Sequence, residues 1–185
     1  MCGINGMLHL QSQRKVDERI LIKMRDSLEH RGPDDQGIFL DSNIGFGHRR
    51  LSILDVSTAG HQPFLSENGR YSMVYNGEIY NYKEFYPELK SNGFDIKTTS
   101  DTEVLMKLFQ LHGLKMLNRL NGMFAFAVWD KLEKKLTLVR DRMGVKPLYY
   151  SFYNESFYFA SEQKALFTAG VPLKMAQDGL EEYIF

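Results

Sequence analysis

Residues 124–129 read Phe124-Ala125-Phe126-Ala127-Val128-Trp129, apolar at every position. Successive side chains of a strand point to opposite faces, so a strand with one wet face alternates apolar and polar residues. A strand apolar throughout is covered on both faces. The stretch therefore predicts stacked layers, sheet against sheet with helices outside.

The neighbouring sequence supplies the other layers. Residues 132–135 turn the buried strand into a second one over 136–140, and 148–153 with 157–160 form a further hairpin around Asn154-Glu155. On the N-terminal side, residues 71–75 read as a strand ended by Asn76-Gly77, a pair that suits positive φ and a tight turn. Residues 3–10 read as a strand, and 38–40 and 44–47 as short strands joined by Asp41-Ser42-Asn43. Helical spacing begins at Val16 and recurs at Ile20, Met24 and Leu28, with Asp17 as N-cap and Gly32-Pro33 as the stop; residues 30–35 read as a loop. A short helix is expected over 83–91, closed by Asn92-Gly93. Ser100-Asp101-Thr102-Glu103 has capping-box spacing ahead of Val104, Leu105, Leu108 and Leu111, and a last helical stretch starts near Ser161. Helices lie before and within the strand series without regular alternation, which favours an α+β fold with antiparallel sheets over a doubly wound one.

Composition narrows the function classes. The chain has 185 residues, with 23 Lys+Arg against 23 Asp+Glu, so its formal net charge is +0. One domain is expected, and a neutral chain is not expected to track nucleic acid. No apolar run is long enough to span a membrane, and the Met1-Cys2-Gly3-Ile4 start lacks the charged region and apolar stretch of a signal peptide. Its one cysteine excludes an internal disulfide framework and a Cys-based zinc site, and a reducing cytoplasmic location is the default. The histidines lack metal-ligand spacing, so no metal site is expected. Nucleotide-loop signatures are absent.

Four features carry chemistry, each with a plainer reading beside it. Cys2 would become the first residue if Met1 were trimmed. It would then unite a thiol with an α-amine of pKa about 7.7–8.0, nucleophile and base on one residue; otherwise it is a buried structural cysteine. Gly3 would keep the approach to it uncrowded. Asn76 and Gly77 could offer a carboxamide and an open backbone N–H to an oxyanion, or form a simple turn. Arg50, within Gly47-His48-Arg49-Arg50-Leu51-Ser52-Ile53, could grip a carboxylate by two parallel hydrogen bonds or sit in a surface charge pair. Asp101 could hold an ammonium group or cap its helix.

Together these blocks resemble the class II glutamine amidotransferase domain, most like the version at the N-terminus of glutamine-hydrolysing asparagine synthetases. The blocks are Cys2-Gly3-Ile4, His30-Arg31-Gly32-Pro33-Asp34, the Arg50 stretch, Gln62-Pro63-Phe64, Tyr75-Asn76-Gly77-Glu78-Ile79-Tyr80-Asn81, Ser100-Asp101-Thr102-Glu103, Gly122-Met123-Phe124-Ala125-Phe126 and 140–150. The resemblance runs from Cys2 to the last residue. It implies the N-terminal-nucleophile hydrolase fold, a four-layer αββα sandwich of two mostly antiparallel sheets. It also implies hydrolysis of the glutamine side-chain amide through a Cys2 thioester. By the same resemblance Asn76 and Gly77 match the oxyanion hole and Arg50 the holder of the α-carboxylate. Leu51 and Ile53 match backbone contacts to the ligand, and Asp101, with Glu78 nearby, the holder of the α-ammonium. L-Glutamine is the expected ligand.

The implied partner is a synthetase domain or subunit, in cis or in trans, which takes up the ammonia. ATP and Mg²⁺ belong to that half, so this domain is expected to need no cofactor. The S-G-G-x-D-S signature of the synthetase half does not occur in the chain, so residues 1–185 are expected to be one domain cut off before it. Residues 140–150 fall where the family meets that partner. A catalytically idle glutamine-binding or docking module is the alternative. The oligomeric state stays open, a homodimer included.

Overall fold

The computed structural model describes residues 1–52 and 60–174. Its strands are β1 (Gly3–His9), β2 (Asp35–Asp41), β3 (Ile44–Arg50), β4 (Phe64–Leu65), β5 (Tyr71–Ile79), β6 (Gly122–Asp130), β7 (Lys135–Arg140), β8 (Tyr149–Tyr153) and β9 (Ser156–Ala160). Its helices are α1 (Glu18–Asp26), α2 (Tyr86–Ser91), α3 (Asp101–His112) and α4 (Gln163–Thr168). The strands form two sheets, ordered β2-β3-β1-β9-β8 and β4-β5-β6-β7. Every neighbouring pair is antiparallel.

Strand β6 is covered on both faces, and its two faces belong to different layers. Ala125, Ala127 and Trp129 pack with Val74 against Ile4, Ile44, Phe46 and Phe159 of the other sheet. Phe124, Phe126 and Val128 face the opposite way, onto Val104, Leu105 and Leu108 of α3 and Leu89 of α2. A third cluster joins Met7, Tyr158 and Ala160 to Leu21 and Met24 of α1 and to Ala165 and Leu166 of α4. The layer order is helices, sheet, sheet, helices, the expected αββα sandwich. Small residues on the inner face of β6 let the sheets approach, and Phe46 fills the gap edge-to-face on Phe159. Among the described residues, no helix is long and apolar enough to cross a membrane.

Several local expectations change. Asn76-Gly77 is not a turn: β5 runs straight through the pair, which stands opposite Ala125 and Phe124 of β6. Neither residue has positive φ. The long apolar partner strand gives β5 a ladder to follow, and that pairing outweighs the turn preference of Asn-Gly. The same extension carries β3 to Arg50 and starts β2 at Asp35. The helix expected over 83–91 is divided into a 3₁₀ turn (Tyr82–Phe85) and α2, because Pro87 has no N–H to give an uninterrupted helix and sits instead in the first turn of α2. Helix α1 begins on Asp17 as expected but stops at Asp26, with a separate 3₁₀ turn over Glu29–Arg31. Ser100 does cap α3 by accepting the Thr102 N–H. Glu103 does not return to Ser100; it accepts the N–H groups of Lys97 and Thr98 and pairs with buried Lys107. Ile53 lies outside the described residues.

Candidate active site

Cys2 lies at the entry to β1, the middle strand of its sheet. Its Sγ accepts a hydrogen bond from the Leu51 N–H at 3.4 Å and donates to the Leu51 carbonyl at 3.7 Å. Leu51 thus fixes the sulfur through its backbone. The Cys2 carbonyl accepts from Arg31 Nε at 2.9 Å, and Arg31 is anchored in turn on Glu162 at 2.9 Å. Burial pushes the Cys2 thiol up, while the Leu51 N–H, the amino end of the chain, Arg50 and Lys146 pull the other way. Gly3 serves packing rather than access: a Cβ there would lie 2.8 Å from Leu28 Cβ.

Strand β5 brings two donors to the same cleft. Tyr75 faces the helix layer, so Asn76 turns to the opposite face, and its amide is 1% exposed. Asn76 Nδ2 has no hydrogen-bond partner among the described residues. The backbone orientation of Gly77 follows from its neighbours. Tyr75 N–H leaves the ladder for Gln62 Oε1 at 2.6 Å, and Ile79 N–H leaves it for Asp101 Oδ2 at 2.9 Å. Opposite Gly77, the Phe124 N–H and C=O turn away to Asp141. In an antiparallel ladder alternate residues share one orientation. Gly77 N–H therefore points off the same edge as those of Tyr75 and Ile79, towards the cleft that Gly77 lines.

Cys2, Arg50, Leu51, Asn76, Gly77, Glu78 and Asp101 all line this one cleft. Arg50 is 7% exposed at the end of β3, and Gly60 packs so closely on its guanidinium that a Cβ would strike it. Asp101 opens α3 and is 5% exposed. Burial raises its carboxyl above the ordinary value, against the hydrogen bonds from Ile79 and Tyr75, and Glu78 adds to the rise. The cleft thus gathers the Cys2 thiol, the Arg50 guanidinium of one sheet, the Asn76 amide and Gly77 backbone of the other, and the carboxyl groups of Glu78 and Asp101.

The sequence reading missed other cleft residues. Lys146 also lines it and is 5% exposed. It is presented by a tight loop: the Asp141 carboxylate accepts the N–H groups of Phe124, Met143, Val145 and Lys146, and Arg140 binds the carbonyls of Gly144 and Lys146. No residue spacing announces that placement. Tyr75 and Gln62 were missed as well; for Tyr75 the signal existed, since reading β5 as continuous would have set its ring towards α3.

The whole chain, residues 1–185, matches the family described as a glutamine amidotransferase domain. It is 41% identical over 186 residues to asparagine synthetase [glutamine-hydrolyzing] 1 of Bacillus subtilis, covering 100% of this chain and 29% of that protein. It is 46% identical over 170 residues to asparagine synthetase [glutamine-hydrolyzing] 2 of the same organism, covering 91% and 22%. The chain spans less than a third of the length of these curated relatives. Among solved structures it resembles the glutamine phosphoribosylpyrophosphate amidotransferase from B. subtilis in fold, with TM-score 0.76 and 23% identity over 91% of this chain and 44% of that one.

Proposed function

From the premise that this chain belongs to the glutamine amidotransferase domain family, we propose that it hydrolyses the side-chain amide of L-glutamine to glutamate and ammonia through a thioester on Cys2. The observation that carries this reading is the single cleft holding Cys2, the Asn76 amide whose nitrogen is unpartnered among the described residues, Arg50 and Asp101.

Removal of Met1 frees the Cys2 nitrogen. An α-amine has an ordinary pKa of about 7.7–8.0, so part of it is the neutral form that a base requires near pH 7. That amine takes the thiol proton, and the sulfur attacks the amide carbon. The carbonyl oxygen becomes an oxyanion, met by Asn76 Nδ2–H and Gly77 N–H. When the C–N bond breaks, the ammonium returns its proton to the departing nitrogen and ammonia leaves. The amine then activates water against the thioester, glutamate is released and the thiol is restored. Arg50 holds the α-carboxylate with two parallel hydrogen bonds, and Asp101, with Glu78 beside it, holds the α-ammonium. An amide lacking either charge forgoes one of these two ion pairs, which accounts for selection of a free amino acid. Leu51 supplies backbone contacts, and we assign Ile53 the same role.

Nucleophile, base and oxyanion donors all come from this chain, so we assign the hydrolytic half no cofactor. The relatives' much greater length supports a synthetase partner, in cis or in trans, that receives the ammonia and uses ATP and Mg²⁺. A thiol that must stay free supports a cytoplasmic setting.

Ammonia release from glutamine by protein of verified N-terminal mass tests the reading. Cys2→Ala is expected to abolish release, and activity surviving in that variant would overturn the mechanism. Stoichiometric labelling of Cys2 by a glutamine-like electrophile separates an enzyme from an idle binding module.

A further inference from the structure

The Tyr75 side chain is 2% exposed, set in the cluster between β5, β6 and α3. A buried phenol needs a hydrogen-bond partner, and here the partner is a cleft residue: Tyr75 Oη donates to Asp101 Oδ2 at 2.8 Å. The same oxygen accepts the Ile79 N–H at 2.9 Å. Two donors from one strand therefore fix the plane of a carboxylate that belongs to a helix. The Tyr75 peptide is pinned as well. Its N–H donates to Gln62 Oε1 at 2.6 Å, and its carbonyl lies 3.1 Å from His48 Nε2. A carbonyl only accepts, so that ring nitrogen carries the proton. Tyr75 thus has its backbone held by Gln62 and by His48 of the neighbouring sheet and its hydroxyl extended to α3, with Asn76 and Gly77 next in the chain.

We infer that Tyr75 is a positioning residue for glutamine recognition: its phenol holds the Asp101 carboxylate in the orientation that meets the substrate α-ammonium, in register with the strand that carries Asn76 and Gly77. This rests on the proposed function and extends it to a residue that acts through Asp101. The distance between the ammonium site and the oxyanion site is then set within one strand, because Tyr75 and Ile79 hold Asp101 from either side of Gly77.

The test is Tyr75→Phe, which removes one oxygen and keeps the ring. KM for glutamine is expected to rise about 10- to 150-fold, the range of a lost hydrogen bond to a charged group, with kcat within about twofold. Glutamate and glutarate give the discriminating readout, since glutarate lacks the α-ammonium. Titrated calorimetrically into the Cys2→Ala protein, with and without Y75F, glutamate should lose affinity by the same factor and glutarate should not. Equal losses for both ligands, no loss for either, or a fall in kcat with KM unchanged would overturn the inference. The calorimetry is independent of turnover, so wild-type protein that fails to release ammonia defeats the functional reading while Tyr75 is still decided by binding. If Y75F does not fold, Tyr75→Met is the second variant and must show the same ammonium-selective loss.

Discussion

Asn76 shows how one buried side chain can be assigned a task. An amide 1% exposed with an unpartnered nitrogen is costly to keep unless a ligand completes it. In the proposed reaction the oxyanion is that ligand, and the donor matters more in the transition state than in the ground state. Asn76→Ala is therefore expected to lower kcat by about 10²–10³ with little change in KM, measured by steady-state ammonia release. Cys2 is the complementary case. Burial holds its thiol up, so the sulfur needs a base at hand, and the α-amine is the nearest one once Met1 is gone.

At the scale of the element, β5 is the structure's main surprise. Read alone, Asn76-Gly77 is a turn; paired with β6 it is the middle of a nine-residue strand. The glycine is required by closeness, not by φ. A Cβ on Gly77 would lie 2.5 Å from the Met123 carbonyl oxygen and 2.8 Å from Phe124 Cα. Those are backbone atoms of the neighbouring strand and cannot swing aside. Gly77→Ala is expected to destabilise the fold by about 1–3 kcal/mol through overpacking and to reduce turnover by displacing the N–H that faces the cleft. Chemical denaturation together with kinetics on the folded fraction checks both parts. The loop held by Asp141 works similarly, one carboxylate ordering the backbone that presents Lys146.

At the scale of the molecule, two sheets must meet for the cleft to exist, and His48 is one tie between them. It is 1% exposed on β3 and donates to the Tyr75 carbonyl of the other sheet. Burial lowers its pKa to about 4, against the raising effect of that hydrogen bond, while an unfolded histidine titrates near 6.5. Between about pH 6.5 and 4 the unfolded chain therefore binds more protons. Stability should be highest above this window, fall as the pH falls through it and level off below about 4 with respect to this group. Denaturation midpoints across that range should show the loss, and His48→Gln should flatten this part of the profile. The residues themselves determined a good deal. The unbroken apolar run of β6 called for cover on both faces, the helix and hairpin signals placed most elements, and the ordered motif blocks identified the family and the thiol, guanidinium and carboxylate that meet in the cleft. Those properties are local or combinatorial, so a linear reading reaches them. The tertiary structure decided that Asn76-Gly77 is strand, that Gly3 yields to Leu28, that Lys146 reaches the cleft and that Tyr75 holds Asp101. Apart from the Lys146 loop, each depends on a partner more than twenty residues away, and strand pairing and close packing outweigh the local preferences on which a sequence reading must rely.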